Sequence, residues 1–187
     1  MNPAQSERTP KSHRTCSYDA FDAIDIDGRE WTKKKLEGNV VLLEFWSNWC
    51  GPCVSEIPYL RDAYERLKPQ GFEIIGINRN LGTPEQQKLW LTTHGVAWPQ
   101  IADAQGKKGP IADAFGVEGI PKSVLIDRQG RVVGVNLRGP RLTEKVSELL
   151  DAARQASGTD RRYERQKFGP DGEGSGGAAG VSVSIRD

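Results

Sequence analysis

The run Asn39-Val-Val-Leu-Leu-Glu-Phe-Trp46 constrains this chain's architecture more than any other segment. It is dense in apolar residues and β-branched at its start, the pattern of a buried strand. It passes directly into Ser47-Asn48-Trp49-Cys50-Gly51-Pro52-Cys53. Gly51 to Leu67 then reads as a helix, with Pro52 near the first-turn position where a missing N–H costs nothing. Pro58 removes the bond to the Val54 carbonyl and is expected to kink that helix.

The alternation continues downstream. Phe72 to Asn78 is a second buried strand, and Thr83 caps a helix from Pro84 to about His94. Pro110 to Phe115 is a short helix. Ser123 to Ile126 is a strand that Arg128-Gln-Gly-Arg131 turns into another, Val132 to Asn136. Leu142 to Ala156 closes the series as an amphipathic helix, with Leu142, Val146, Leu149, Leu150 and Ala153 on one side. Strand and helix in alternation, then a hairpin and a helix, predict an α/β fold with a central mixed sheet flanked by helices.

Composition separates the ends from the middle. All five Trp residues lie between Asp19 and Leu150, in a chain of 187 residues. Residues 18–156 are therefore read as one domain, 1–17 as a disordered lead-in without aromatic residues, and 157–187 as a flexible Gly-rich tail. Lys plus Arg total 26 against 25 Asp plus Glu, a net charge of +1 that gives no drive toward nucleic acid or anionic membranes. The longest apolar run, Val40 to Leu43, is far short of the ~18 residues of a spanning helix. No signal-type apolar stretch occurs in the first twenty residues.

The chemistry points to Cys50 and Cys53. Two cysteines separated by two residues, where a strand meets a helix, can close a small disulfide without unfolding anything. Cys50 lies where unpaired helix N–H groups and the helix dipole favour a thiolate. That thiolate can attack a disulfide in another molecule, and Cys53, one turn deeper, can attack the mixed disulfide and release the reduced partner. Half a zinc site is the competing reading, with His13-x-x-Cys16 supplying the other ligands. It requires an aromatic-free lead-in to fold back over the helix start. A purely structural disulfide has little to staple across so short a loop.

Phe45-Trp46-x-x-Trp49-Cys50-Gly51-Pro52-Cys53, followed by Glu56-x-Pro58, resembles the active-site segment of the thioredoxin superfamily. Gly119-Ile120-Pro121 precedes a strand where that superfamily places its cis-proline loop. Asp25-x-Asp27-Gly28, Ile126-Asp127-x-x-Gly130 and an extra strand–helix unit from Phe72 to Trp98 resemble the TlpA/ResA-like branch. The resemblance implies a thioredoxin fold with a strand–helix insertion between the cysteine helix and the cis-proline loop. Cys50 would be the attacking thiol and Cys53 the resolving one. Pro121 would face the cysteines and leave the Ile120 backbone free to pair with a substrate strand. Trp49 would shield the disulfide and offer an apolar contact, with ordinary core packing as the rival reading. Together Trp49, Gly119, Ile120 and Pro121 form the expected substrate surface.

Two carboxylates stand near the thiols. Glu44 lies on the buried strand, on the face of Trp46, where thioredoxins carry a buried acid; Glu56 follows Cys53 by one helical turn, where ResA-like proteins carry theirs. Either, in an apolar setting, would hold its proton more tightly and shuttle it to or from Cys53. His94 suits a helix C-terminus, Cys16 reads as a free thiol, and Lys33-Lys34-Lys35 as a solvated face. A peroxidase of related fold would carry a Pro-x-x-x-Thr-x-x-Cys segment with a partner arginine, and three residues before Cys50 this chain has Ser47 instead of Thr. A non-catalytic binding module would not need both cysteines. The reading is therefore a thiol–disulfide oxidoreductase acting on proteins without metal or organic cofactor, fed by an upstream electron donor. Gly51-Pro52 and the resemblance imply a reductant, extracytoplasmic and serving cytochrome c maturation. The missing export signal leaves the cytoplasm open.

Overall fold

The structure is a computed structural model that describes residues 21–79, 82–103 and 109–168, with side chains to Gln155. The lead-in 1–17, His13, Cys16 and the Gly-rich segment from 169 lie outside the described residues. The elements are β1 (Asp22–Ile24), β2 (Glu30–Thr32), α1 (Lys33–Leu36), β3 (Val40–Trp46), α2 (Gly51–Leu67), β4 (Phe72–Asn78), α3 (Pro84–Thr93), β5 (Gln100–Ala102), α4 (Pro110–Ala114), β6 (Lys122–Ile126), β7 (Val132–Val135) and α5 (Gly139–Phe168).

Every residue of β3 is buried, because β3 is the middle strand of a five-stranded sheet ordered β5-β4-β3-β6-β7. It pairs in parallel with β4 and antiparallel with β6, so the sheet is mixed. Alternation sorts its side chains between two cores. Val40, Leu42 and Trp46 pack with Ile57, Leu60 and Tyr64 of α2 and with Leu142, Val146 and Leu150 of α5. Val41, Leu43 and Phe45 pack on the other face with Phe21, Leu36, Ile75, Ile77 and Phe115. The chain divides after Leu150 into two units, and the second consists, over its described residues, of helical backbone.

Local signals explain most boundaries. α3 starts in a capping box, the Thr83 side chain accepting from Gln86 N–H while the Gln86 side chain accepts from Thr83 N–H. α4 has glycine at its cap position, and Asp103 substitutes from a distance, its two carboxylate oxygens accepting the N–H groups of Ile111 and Ala112 at 2.9 Å each. Two turns share one device. Asp25 accepts the N–H groups of Asp27 and Arg29 on one oxygen, both at 2.9 Å, and Trp31 Nε1–H on the other at 2.8 Å. Asp127 accepts those of Gln129 and Arg131, and then Arg131 Nε–H at 2.8 Å. Gly28 and Gly130 occupy the left-handed position in each, at φ 82° and 78°.

α2 spans Gly51 to Leu67 as read, with Pro58 inside it. The bounds of the last helix change. α5 begins at Gly139 rather than Leu142, Pro140 suiting its first turn, and its backbone continues to Phe168 rather than Ala156. The Lys33–Lys35 run forms a one-turn helix that buries Leu36, with Lys35 Nζ donating to the Glu30 carbonyl at 2.8 Å.

Candidate active site

The C-terminal end of β3 delivers the chain to the cysteines. Cys50 N–H donates to the Ser47 carbonyl at 3.1 Å, and the Cys50 carbonyl accepts from Cys53 and Val54 at 3.0 Å each, which starts α2. Cys50 is therefore the N-cap residue of α2, and its side chain makes no capping hydrogen bond. Its sulfur is bonded instead to Cys53, at 2.12 Å, with the Cα atoms 5.3 Å apart. Of the two, Cys50 is the more accessible, 7% exposed against 2% for Cys53. That gradient suits an outer thiol that meets a partner and an inner thiol that resolves.

Trp49 is 60% exposed, so its rival reading as a core residue fails: the turn aims it outward beside the cysteines. Trp46 is the aromatic that the core takes. Its Nε1–H donates to Gln100 Oε1 at 2.9 Å, and its ring lies 5.4 Å from that of Trp90. Trp90 in turn stacks on His94 at 3.7 Å, and His94 Nδ1 sits 2.8 Å from the Trp90 carbonyl oxygen, as befits a helix end.

The Ile120–Pro121 bond is cis. β6 starts at Lys122, paired with Phe45, so Pro121 falls beside the end of β3 that leads to the cysteines. Ile120 packs against the core that contains Cys50 and Cys53, while Gly119 is exposed next to it. Of the expected substrate surface, Trp49 and Gly119 are exposed and Ile120 and Pro121 are partly buried.

The carboxylates diverge. Glu44 is only 5% exposed and lies on the β3 face of Leu42 and Trp46, toward the core of Cys53 and Ile57. Burial pushes its pKa up to about 8; Arg138 pulls it down and the charge of Glu56 pushes it up. Glu56 is half-buried, and its Oε2 accepts the N–H of Gly139, at the first residue of α5, at 3.1 Å. It anchors one helix to the start of another.

Sequence reasoning did not single out Arg138. Asn136, in the left-handed region at φ 57°, turns the chain after β7 so that the next residues fold back onto the site. Ser123 Oγ–H donates to the Leu137 carbonyl at 3.1 Å, and Arg138 Nη2–H donates to the Pro121 carbonyl at 2.7 Å. No spacing rule links Arg138 to Glu44 or Pro121; only the order β3-β6-β7 does. Among the described residues no cluster of three or more His, Cys, Asp or Glu is arranged to hold a metal ion, and no helix is long and apolar enough to cross a membrane.

Known proteins resemble this chain in sequence and in fold. Residues 17–135 match the AhpC/TSA family. The chain is 32% identical over 130 residues to the thiol-disulfide oxidoreductase ResA of Bacillus thuringiensis subsp. konkukian, covering 70% of this chain and 72% of that one. ResA of Halalkalibacterium halodurans is 33% identical over 128 residues, with 67% and 70% covered. Among solved structures, the thioredoxin domain of a Bacteroides vulgatus thiol-disulfide oxidoreductase superposes with a TM-score of 0.60 at 27% identity, covering 70% of this chain and 92% of that one. A thiol:disulfide interchange protein of Chlorobium tepidum gives 0.59 at 26% identity, with 70% and 92% covered. With the cysteine pair at the head of α2 and a cis-proline beside it, these likenesses make the chain a member of the AhpC/TSA family and, within it, a ResA-like thiol–disulfide oxidoreductase of thioredoxin fold.

Proposed function

We propose that the protein is a reductant of protein disulfides, in which Cys50 attacks, Cys53 resolves and Glu44 takes the resolving proton. The reduced Cys50 thiolate attacks one sulfur of a client disulfide and expels the other as thiolate, leaving Cys50 joined to the client. The Cys53 thiol passes its proton to the Glu44 carboxylate and attacks Cys50 Sγ. The Cys50–client bond breaks, the client's two thiolates take two protons to leave as a dithiol, one released by Glu44 and one from solvent, and Cys50–Cys53 holds the two-electron oxidation. The cysteines carry the electrons themselves, so the step calls on no metal or organic cofactor, and an upstream dithiol donor restores the reduced pair.

The observation that carries this reading is the burial of Glu44, which raises its pKa, on the β3 face turned to the core that holds Cys53. Glu44 fits the proton role better than Glu56, whose carboxylate is engaged by the start of α5. Exposed Trp49 and Gly119, with Ile120 and Pro121, supply the strip on which a client strand adds to the backbone. Cysteine pairs of apocytochrome c are a client class consistent with the ResA likeness. Equilibration in dithiol/disulfide buffers, read by alkylation and tryptophan fluorescence, tests the direction. A two-electron transition near or below about −250 mV is expected, whereas one near about −120 mV would make the protein an oxidant and defeat the proposal.

A further inference from the structure

We infer that Arg138 is a positioning residue for the resolving step, one side chain that fastens the cis-proline loop and places a positive charge beside the buried proton acceptor. The inference rests on the reading of Glu44 as that acceptor. It starts from geometry: Arg138 leaves the β7–α5 connection, turned inward by the left-handed Asn136, and donates from Nη2 to the Pro121 carbonyl at 2.7 Å. The residues on either side are pinned as well, Leu137 by Ser123 and Gly139 by Glu56. Arg138 is therefore held at both flanks and at its tip. A guanidinium stays charged throughout the working pH range.

The surroundings of Glu44 leave this charge little competition. Across the sheet Glu44 faces Gly76 of β4 and Ser123 of β6, neither of which titrates in this range. α2 contributes Cys53 and Glu56, and α5 turns Leu142 and Val146 into the same core. Arg138 is the positive group acting on Glu44, and Glu56 the negative one. Burial favours the protonated acid, in which Glu44 cannot accept from Cys53. The arginine offsets part of that burial and keeps a working fraction of carboxylate at neutral pH. Because the same guanidinium grips the Pro121 carbonyl, a change in the client-binding loop reaches the proton acceptor through one side chain.

The test is single-turnover reduction of a disulfide peptide by the full reduced chain between pH 5 and 10. Acid quenching and mass spectrometry count the mixed disulfide and the released dithiol, which separates resolution by Cys53 from attack by Cys50. Resolution in the wild type should rise with pH to a half-maximum near 8, following the ionisation of Glu44. Arg138→Gln and Arg138→Met should each move that midpoint up by about one pH unit and slow resolution at pH 7 about tenfold. Arg138→Lys should restore the wild-type midpoint. Should the neutral variants fail to fold, a folded Arg138→Lys whose midpoint rises by about one unit would overturn the inference on its own.

Glu44→Gln separates the two readings. If it keeps the wild-type profile, the proton role of Glu44 itself is wrong. If it abolishes the pH limb while the Arg138 variants leave the midpoint in place, only the arginine inference falls. An Arg138 shift that persists in the Glu44→Gln background would also overturn it, since the arginine would then act elsewhere.

Discussion

Replacing Glu44 by Gln should make the protein more stable at neutral and alkaline pH, by an amount that the burial of this carboxyl sets. Its pKa is about 8 in the folded state against an ordinary 4.5, and the side chain is 5% exposed. A folded pKa above the unfolded one means that the unfolded chain releases the proton first. The stabilisation from keeping the acid protonated is therefore complete below pH 4.5 and is lost as pH rises through 8. At about 1.4 kcal/mol per pKa unit, the wild type gives up about 1 kcal/mol by pH 5 and about 4 kcal/mol by pH 8. Gln has no such titration, and its change in packing adds an offset that does not vary with pH. Urea unfolding of the oxidised wild type and Glu44→Gln, run at intervals from pH 5 to 9, should show the gap between them widening by about 3 kcal/mol between pH 5 and pH 8. Parallel profiles would refute the reasoning, because they would mean that Glu44 is as well hydrated in the folded state as in the unfolded one.

Two further outcomes follow from packing and exposure. Trp49→Ala removes a side chain that is 60% exposed, so stability should change by less than about 0.5 kcal/mol, while KM for a disulfide peptide rises about tenfold with kcat nearly constant; a Tm loss with unchanged KM would contradict the outward placement. Gly76→Ala puts a Cβ into the Gln100 amide that holds Trp46, and should cost about 1–3 kcal/mol in urea unfolding with a change in tryptophan emission. A wild-type midpoint in that variant would show that Gln100 yields freely.

The parts legible in the sequence are those whose cause is local. β4 falls on Phe72–Asn78 as read, because seven residues of a fully engaged strand carry their own pattern. Thr83 caps α3 as read, since cap chemistry needs only neighbours. The cysteine helix falls on Gly51–Leu67 as read from its own residues, whereas the cis-proline was implied only by motif resemblance. What stayed hidden depends on contacts between distant segments. β5 has three residues and exists as a strand only by pairing with β4. Asp103 caps α4 across an intervening stretch, and Arg138 reaches Pro121 only because β7 lies beside β6. The different settings of Glu44 and Glu56 were hidden for the same reason: burial and partners belong to the assembled core. Trp46 and Trp49 are the same residue three positions apart, yet one is in the core and the other in solvent.

The paired aspartate turns give the molecule a second, independent response to acid. In Asp25, burial alone would raise the pKa, but the bonds from Trp31, Arg29 and Asp27 outweigh it and hold it below the ordinary carboxylate value; in Asp127 the bonds from Arg131 and Gln129 do the same. Their contribution is present above about pH 4 and lost as pH falls, opposite in sign to that of Glu44. The two responses sit in different places, one at hairpin tips and one on the central strand β3. Tolerance of acid can therefore be adjusted by editing Asp-x-x-Gly-Arg, a five-residue part that occurs twice, at Asp25–Arg29 and Asp127–Arg131, without touching the buried carboxyl of β3.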